Sequence, residues 1–155
     1  MQVKEYLFAD MVRGKTEAFC VSVSQDMIKS FCQITGDVNP LHIDDGYAVS
    51  HGYPGTVSYG MLTASFYSTL VGVYLPGKYC LLQSCDVSFN APAFANDELT
   101  VTGTVAETHE VFKRIVIKAE IRNQHGKRIS RATICVGMLE PVIGGGEQTC
   151  QKKDI

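Results

Sequence analysis

A carboxylic acid, an amide and an imidazole lie close together in the chain, around a proline. Asp37, Asn39 and His42 belong to the segment TGDVNPLHIDDGY, residues 35–47. Because proline forbids a continuous helix and biases the preceding residue toward an extended backbone, we expect irregular backbone here. Such a bend lets an acid and an imidazole converge on one water molecule, which neighbours on a regular strand or helix do not easily do. The segment is therefore a candidate acid–base site.

The same residue types also have structural interpretations. Asp37 is placed to form an Asx turn after a helix, and His42 is compatible with a partly buried structural histidine. A metal site is a further alternative, although the spacing matches no zinc pattern and Pro40 and Leu41 interrupt any calcium-binding loop. The side chains that such a site would draw on are Asp37, His42, Asp44, Asp45 and His51.

Regular elements are predicted on both sides of this segment. Residues 17–22 alternate in polarity and are rich in β-formers, which predicts a first strand. Ser24 is a predicted N-cap, apolar residues then recur at helical spacing as far as Thr35, and Gly36 is a typical helix end. After the bend, Asp44 is predicted to cap a short helix, and a glycine-rich loop follows it.

Residues 60–77, GMLTASFYSTLVGVYLPG, contain no charged residue. They predict about four turns of helix, ended by Pro76 and Gly77. Because this helix is apolar on nearly every face, we expect it to be buried on all sides. The N–H of Gly60 lies in the first turn, where a helix has no internal acceptor and its dipole favours negative charge.

Four strand-like runs fill most of the remaining chain, with short, turn-rich connections that predict hairpins and antiparallel order. With the first strand, they predict an α+β fold in which an antiparallel sheet wraps around the long central helix. We expect one domain over residues 1–143 and a flexible C-terminal tail over residues 144–155, which has little to bury. The four runs are residues 80–90, 98–107, 111–123 and 127–140.

Composition excludes several classes of function. Against 16 Asp and Glu there are 14 Lys and Arg, without a basic block, so no nucleic-acid partner is expected. The N-terminus lacks an export signal and no apolar run has membrane-spanning length, which predicts a cytoplasmic protein without membrane contact. Buried, reduced thiols are expected because no two cysteines form a C-x-x-C pair. The six cysteines are Cys20, Cys32, Cys80, Cys85, Cys135 and Cys150.

The candidate segment resembles the motif of the MaoC-like dehydratases, the family of the (R)-specific enoyl-CoA hydratases. The pattern GD-x-NP-LH is present without a gap at residues 36–42, and a helix beginning GML-x-AS starts at Gly60. The similarity continues through LPGKY and the following strand, and covers most of the chain from about Val21 to Met138. The resemblance implies the hot-dog fold.

The resemblance also implies roles for individual residues. Asp37 and His42 would be the catalytic dyad, braced by Asn39, and the peptide N–H of Gly60 would bind the thioester oxygen. Ser68 falls where the family has a serine that supports the dyad. The chain departs from the family at Tyr59, where a histidine is usual, which bears on pocket shape or acyl preference. Because the implied oxyanion donor is backbone, this change does not remove it.

The resulting hypothesis is a hydro-lyase that interconverts trans-2-enoyl and (R)-3-hydroxyacyl thioesters, with coenzyme A or acyl carrier protein as carrier and no other cofactor. The alternatives are a hot-dog thioesterase and a non-catalytic acyl-thioester-binding module. A single sheet leaves one side of its helix and its edges uncovered, which predicts a homodimer. Cations in the late strands are candidate contacts for coenzyme A phosphates or an acidic carrier, or form a solvated face: Lys113, Arg114, Arg122, Lys127, Arg128 and Arg131.

Overall fold

A computed structural model describes residues 2–141, so the predicted flexible tail lies outside the described residues. The chain forms a five-stranded antiparallel sheet with the order β1-β3-β4-β5-β2 and a central helical segment against one face. The strands are β1 (Thr16–Ser22), β2 (Cys80–Phe89), β3 (Glu98–His109), β4 (Arg114–Arg122) and β5 (Arg128–Met138). The α-helices are α1 (Gln25–Thr35), α2 (Pro40–Ile43), α3 (Asp45–Ser50) and α4 (Gly60–Thr69), which continues into a π-helix at Leu70–Tyr74, and a short 3-10 helix at Phe8–Asp10 precedes β1.

The core lies between the sheet and α4. Alternate residues of β3 and β4 point inward, including Val101, Ile115 and Ile117, each fully buried. Leu70 and Val71 reach this layer from the helical segment and are also fully buried. The predicted arrangement, a sheet around a long helix, is therefore present.

The central helix is covered on one side only. Met61, Ser65 and Ser68 recur at intervals of four and three residues, so they share one helical face, and all three are exposed in the single chain. The prediction that this helix is buried on all sides is wrong for one chain. A five-stranded sheet covers only the face that carries Leu62 and Leu70.

The connection between β2 and β3 is not a hairpin. These two strands lie apart in the sheet, with β5 and β4 between them, so the prediction of hairpins throughout is wrong at this connection. Residues 90–97 are long enough to cross two intervening strands, because strands lie about 4.8 Å apart and an extended residue spans about 3.3 Å. Asp97 holds the crossover by accepting the N–H of Phe94 and the side-chain amide of Gln124.

Two further local predictions are corrected. The predicted irregular backbone is present at residues 36–39 but not beyond, because Pro40 begins α2: proline fits the first position of a helix, where no N–H is needed. The described cysteines are free, but Cys20 and Cys85 are exposed and the other three are half-buried. Cys20 lies on the outward face of β1 and Cys85 on the exposed edge strand β2, so neither reaches the core.

Candidate active site

The bend between α1 and α2 is held by local hydrogen bonds. Gly36 ends α1 with a left-handed φ of 71°, and its N–H donates to the carbonyl of Cys32 at 2.8 Å. The Asp37 carboxylate then accepts the N–H of Asn39 at 3.1 Å, so the predicted Asx turn is present. The Asn39 side chain in turn caps α2 by accepting the N–H of Leu41 at 3.0 Å. Asn39 therefore fixes the short helix that carries His42.

His42 is fixed by the segment that leads into α4. Its Nδ1 lies 2.7 Å from the carbonyl oxygen of Val57. Because a carbonyl only accepts, Nδ1 carries the proton in this contact, and the Nε2 of a neutral ring is left with a free lone pair. The N–H of Val57 donates to the carbonyl of Leu41 at 3.0 Å, so main chain and side chain join the two segments.

Tyr59 lies against both members of the candidate dyad. Its ring centroid is 4.1 Å from that of His42 and 5.2 Å from that of Phe31. Its hydroxyl donates to the main-chain carbonyl of Asp37 at 2.6 Å, and the Cys32 thiol donates to the same oxygen at 3.4 Å. Burial, reinforced by Cys32 and the Asp37 charge, raises the pKa of Tyr59 well above its ordinary value, so the hydroxyl stays protonated.

Gly60 begins α4, as predicted, and Tyr59 provides no side-chain cap for the first-turn N–H groups. The ring of Phe89, at the end of β2, lies directly over Gly60. A Cβ at this position would lie 3.2–3.4 Å from three ring carbons of Phe89. Glycine therefore allows the ring and the start of the helix to approach closely.

One cavity of about 320 Å³ joins three of the predicted site residues: Asp37, His42 and Gly60. Two others, Asn39 and Ser68, do not line it. Asn39 caps α2, the helix that carries His42, without lining the cavity. Ser68 lies on the exposed face of α4. The other residues that line this cavity are Phe31, Thr35, Tyr59, Met61 and Phe89.

His42 also lines two neighbouring cavities. A cavity of about 370 Å³ lies between α1 and α2 and includes Lys29 and Thr56. Another of about 270 Å³ includes Ser58 and Ile129 and extends toward the sheet. The imidazole thus lies where three spaces meet, which gives a bound molecule room on more than one side.

The residues considered for a metal site have other contacts. Asp44 caps α3, Asp45 accepts the N–H of Thr56, and the Nδ1 of His51 contacts the carbonyl of Tyr47. Within residues 2–141, no group of three or more His, Cys, Asp or Glu side chains is arranged to hold a metal ion.

The aromatic walls of the site were not among the predicted site residues. Phe31 appeared in the sequence as an ordinary apolar position of α1, and Phe89 lies far along the chain at the end of β2. No local pattern links Phe89 to Gly60, because their contact depends on how the sheet is placed against the helix. The departure at Tyr59 was visible in the sequence, but its bond to the Asp37 carbonyl was not.

Comparison with known proteins places this geometry in a family. A family model for the MaoC like domain matches residues 9–127. The (R)-specific enoyl-CoA hydratase of Rhodospirillum rubrum is 30% identical over 100 residues, which are 64% of this chain and 69% of that protein. The 3-hydroxybutyryl-CoA dehydratase of Methylorubrum extorquens is 30% identical over 106 residues, 68% of each chain.

A solved structure supports the fold over a longer stretch. The unliganded R-hydratase PhaJ1 of Pseudomonas aeruginosa matches with a TM-score of 0.84 at 24% identity, over 94% of this chain and all of that chain. The predicted hot-dog fold is thereby confirmed. Since the family model also covers most of the chain, including the bend and the start of α4, this chain belongs to the MaoC-like family.

Proposed function

We propose that the protein reversibly adds water to trans-2-enoyl thioesters to give (R)-3-hydroxyacyl thioesters. The observation that carries the proposal is that one cavity is lined by a carboxylate, an imidazole and the start of a helix. The R configuration and coenzyme A as carrier rest on the names of the relatives. Acyl carrier protein remains the second candidate carrier.

In the proposed reaction, Asp37 and His42 together activate one water molecule. Loss of a proton from water accompanies formation of the bond between its oxygen and carbon 3 of the enoyl group. The electron pair of the double bond moves toward the thioester oxygen and returns as carbon 2 takes up a proton. The free lone pair on Nε2 of His42 suits the first proton transfer, and we assign the two transfers jointly to the pair.

The N–H of Gly60 is the proposed donor to the thioester oxygen, on which negative charge develops. A single donor of this kind typically contributes about 3–4 kcal/mol of transition-state stabilisation. General acid–base assistance adds roughly 10²- to 10⁴-fold in rate. These groups belong to the chain, so the proposed reaction requires no cofactor beyond the thioester carrier.

Different observations bear on the proposed supporting roles of Asn39 and Ser68. The capping bond from Leu41 to Asn39 favours a bracing role for Asn39, because it fixes the helix that carries His42. Ser68 lies outside the cavity in a single chain. We therefore place its proposed supporting role in an assembly that covers the exposed face of α4.

A homodimer is the proposed assembly. The edge strand β2 exposes Leu81 and Leu82, and α4 exposes Met61, so apolar side chains are left uncovered at a free sheet edge and on the central helix. A second copy would bury both. Light scattering after size-exclusion chromatography is expected to give twice the chain mass of 17.0 kDa, and a particle of 17.0 kDa would contradict the dimer.

The cations considered for phosphates or an acidic carrier do not form one cluster. Arg114 begins β4 and Lys113 directly precedes it, whereas Arg122 lies at the other end of the strand. Arg122 and Arg128 both bind Glu120, which offsets their charge. These cations therefore do not define one contact surface for a carrier.

Among residues 2–141, no helix has the length and apolar character needed to cross a membrane, and cytoplasmic location remains a prediction.

The decisive experiment follows the absorbance of the conjugated enoyl group of crotonyl-CoA. Asp37→Asn and His42→Ala are each expected to lower the rate by about 10²- to 10⁴-fold. Asp26→Asn and His125→Ala change the same residue types outside the cavity and should retain the rate of the unmodified protein.

The same assay separates the alternatives. Release of free thiol would indicate a thioesterase, and binding without turnover across several chain lengths would indicate an acyl-binding module. Full rates in both dyad variants would contradict the site assignment for any reaction.

A further inference from the structure

Tyr59 connects three parts of the proposed site that come from different segments. Its hydroxyl donates to the carbonyl of Asp37, its ring packs at a tilt of 36° against His42, and Gly60 is the next residue in the chain. The side chain is only 2% exposed, although Asp37 itself is exposed. The buried side chain of Tyr59 is thus hydrogen-bonded to Asp37, an exposed candidate catalytic residue.

The main chain of Asp37 is held from both sides. Its N–H donates to the Thr35 hydroxyl at 3.3 Å, a bond within the turn itself. Its carbonyl receives the Tyr59 hydroxyl at 2.6 Å and, less closely, the Cys32 thiol at 3.4 Å. Cys32 belongs to α1, which precedes the turn. The Tyr59 bond therefore connects this turn to the residue directly before α4.

We propose that Tyr59 is a positioning residue that sets the separation of Asp37, His42 and the Gly60 N–H through its bond to the Asp37 carbonyl and the tilted contact of its ring with His42. The inference rests on the proposed function and goes beyond it, because it assigns the alignment of the dyad to a side chain that takes no part in the proton transfers. The hydroxyl is engaged with main chain and stays protonated, so it acts on geometry.

An ordinary core tyrosine is the competing explanation, and the chain contains a matched control. Tyr67 lies on α4, is 1% exposed, and pairs its hydroxyl with Ser130 at 2.9 Å. Both tyrosines are thus buried, one directly before α4 and one within it, and each hydroxyl is hydrogen-bonded to the protein. Only Tyr59 contacts the candidate dyad.

The test compares Tyr59→Phe with Tyr67→Phe in the full-length protein. Kcat and KM for crotonyl-CoA, thermal unfolding and hydrogen–deuterium exchange of a peptide covering residues 36–42 are measured for each. Tyr59→Phe keeps the ring against His42 and removes only the hydrogen bond to the Asp37 carbonyl. We expect kcat to fall about tenfold with KM changed less than twofold, and exchange of this peptide to accelerate about tenfold.

Tyr59→Leu also removes the aromatic ring that contacts His42, so we expect a further loss of about tenfold in kcat. Tyr67→Phe should lower the unfolding temperature by an amount similar to Tyr59→Phe, while kcat, KM and exchange of residues 36–42 stay within twofold. This split separates positioning from general stability.

Each outcome bears on a different statement. Unchanged kcat in Tyr59→Phe, with an active unmodified protein, would overturn the inference and leave the proposed function intact. Equal loss of kcat in Tyr59→Phe and Tyr67→Phe would also overturn it, because the loss would then follow stability. If the unmodified protein lacks hydratase activity, the proposed function fails, and the exchange measurement alone decides whether Tyr59 holds the turn.

Discussion

The two ends of the central helical segment have opposite environments. At the N-terminal end, Gly60 starts the helix beside cavities lined by Asp37 and His42. At the C-terminal end, Leu70 and Val71 are fully buried against the sheet. One continuous segment therefore begins beside open space and ends in close packing.

Polar groups are treated differently at the two ends. We call the C-terminal part of the segment, which packs against the sheet, the sealed half. There the buried Tyr67 hydroxyl is hydrogen-bonded to Ser130, because a buried polar group needs a partner. Near the cavity, the Ser58 hydroxyl is buried without a protein partner. The unpaired Ser58 hydroxyl is a local energetic cost beside the cavity, of the kind that functional sites carry.

The largest effect is expected from removing packing in the sealed half. Leu70→Ala should lower the free energy of unfolding by about 2–5 kcal/mol, because a fully buried side chain leaves a cavity. Leu70 lies so close to the sheet that a Cβ on Gly103 would be 2.6 Å from its Cδ2. Denaturant titration measures the loss, and kcat of the folded enzyme should stay within twofold.

The control for this change is Ile34→Ala, at a position on α1 that is 81% exposed. It should alter the free energy of unfolding by less than about 0.5 kcal/mol. A large loss of kcat in folded Leu70→Ala would show that the two ends are coupled and would break the contrast between them.

The next largest effect is expected at the cavity end, where catalysis should change more than stability. Gly60→Ala places a Cβ against the Phe89 ring and narrows the space beside the N–H. We expect kcat/KM to fall about 10- to 100-fold, with the free energy of unfolding changed by less than about 1 kcal/mol, since alanine favours a helix.

Two variants check this explanation for Gly60. Phe89→Leu combined with Gly60→Ala should recover part of the loss by giving the added methyl group room. Gly72→Ala, compared at the same oligomeric state, adds a methyl group that meets no atom within 4 Å and should have little effect on the rate. Equal losses in the two alanine variants would contradict the steric account.

The sequence predicted the parts of the molecule that depend on neighbouring residues. The cap at Ser24, the end of α1 at Gly36, the start of α4 at Gly60 and the strands all follow from local pattern. The motif at residues 36–42 led to the family, and the predicted enzyme class, a hydro-lyase, is confirmed by membership and by the relatives.

The features that depend on distant contacts were not predicted. The local sequence of β2 does not encode its pairing with β5, because any apolar strand face can pack on the helix. The same limit hid Phe89 from the predicted site and left Met61 assigned to a buried face. The start of α2 at Pro40 was missed for another reason: proline both ends and begins helices, and only the cap from Asn39 decides between these.

A smaller effect on the free energy of unfolding is expected from removing one of two buried serine hydroxyls. Ser58→Ala should raise the free energy of unfolding by about 1 kcal/mol, because it removes a buried hydroxyl without a protein partner. Ser130→Ala should have the opposite sign, because it leaves the Tyr67 hydroxyl unpaired. Denaturant titration of both measures the difference. A loss of stability in Ser58→Ala would show that this hydroxyl has a stabilising contact.

The smallest effect is expected on the outer face of the sheet, away from both helix ends. Glu120 accepts hydrogen bonds from Arg122 at 2.7 Å and from Arg128 at 3.0 Å. The Arg122 hydrogen bond, helped by Arg128, lowers the pKa of Glu120 below its ordinary value of 4.5, although partial burial opposes the shift. A lowered pKa in the folded state means that the ionised form is favoured by folding.

The sign of the pH dependence follows from that direction. The contribution of Glu120 is fully present above its ordinary pKa and is lost as pH falls through the lowered pKa of the folded state. Glu120→Gln should therefore reduce stability slightly at pH 7 and flatten its decline in acid, while Glu110→Gln in the hairpin turn should not. The three side chains are 34–43% exposed, so high salt should weaken the effect. Because neither helix end is involved, kcat should be unchanged, and a change in kcat would show that the outer face of the sheet also influences the site.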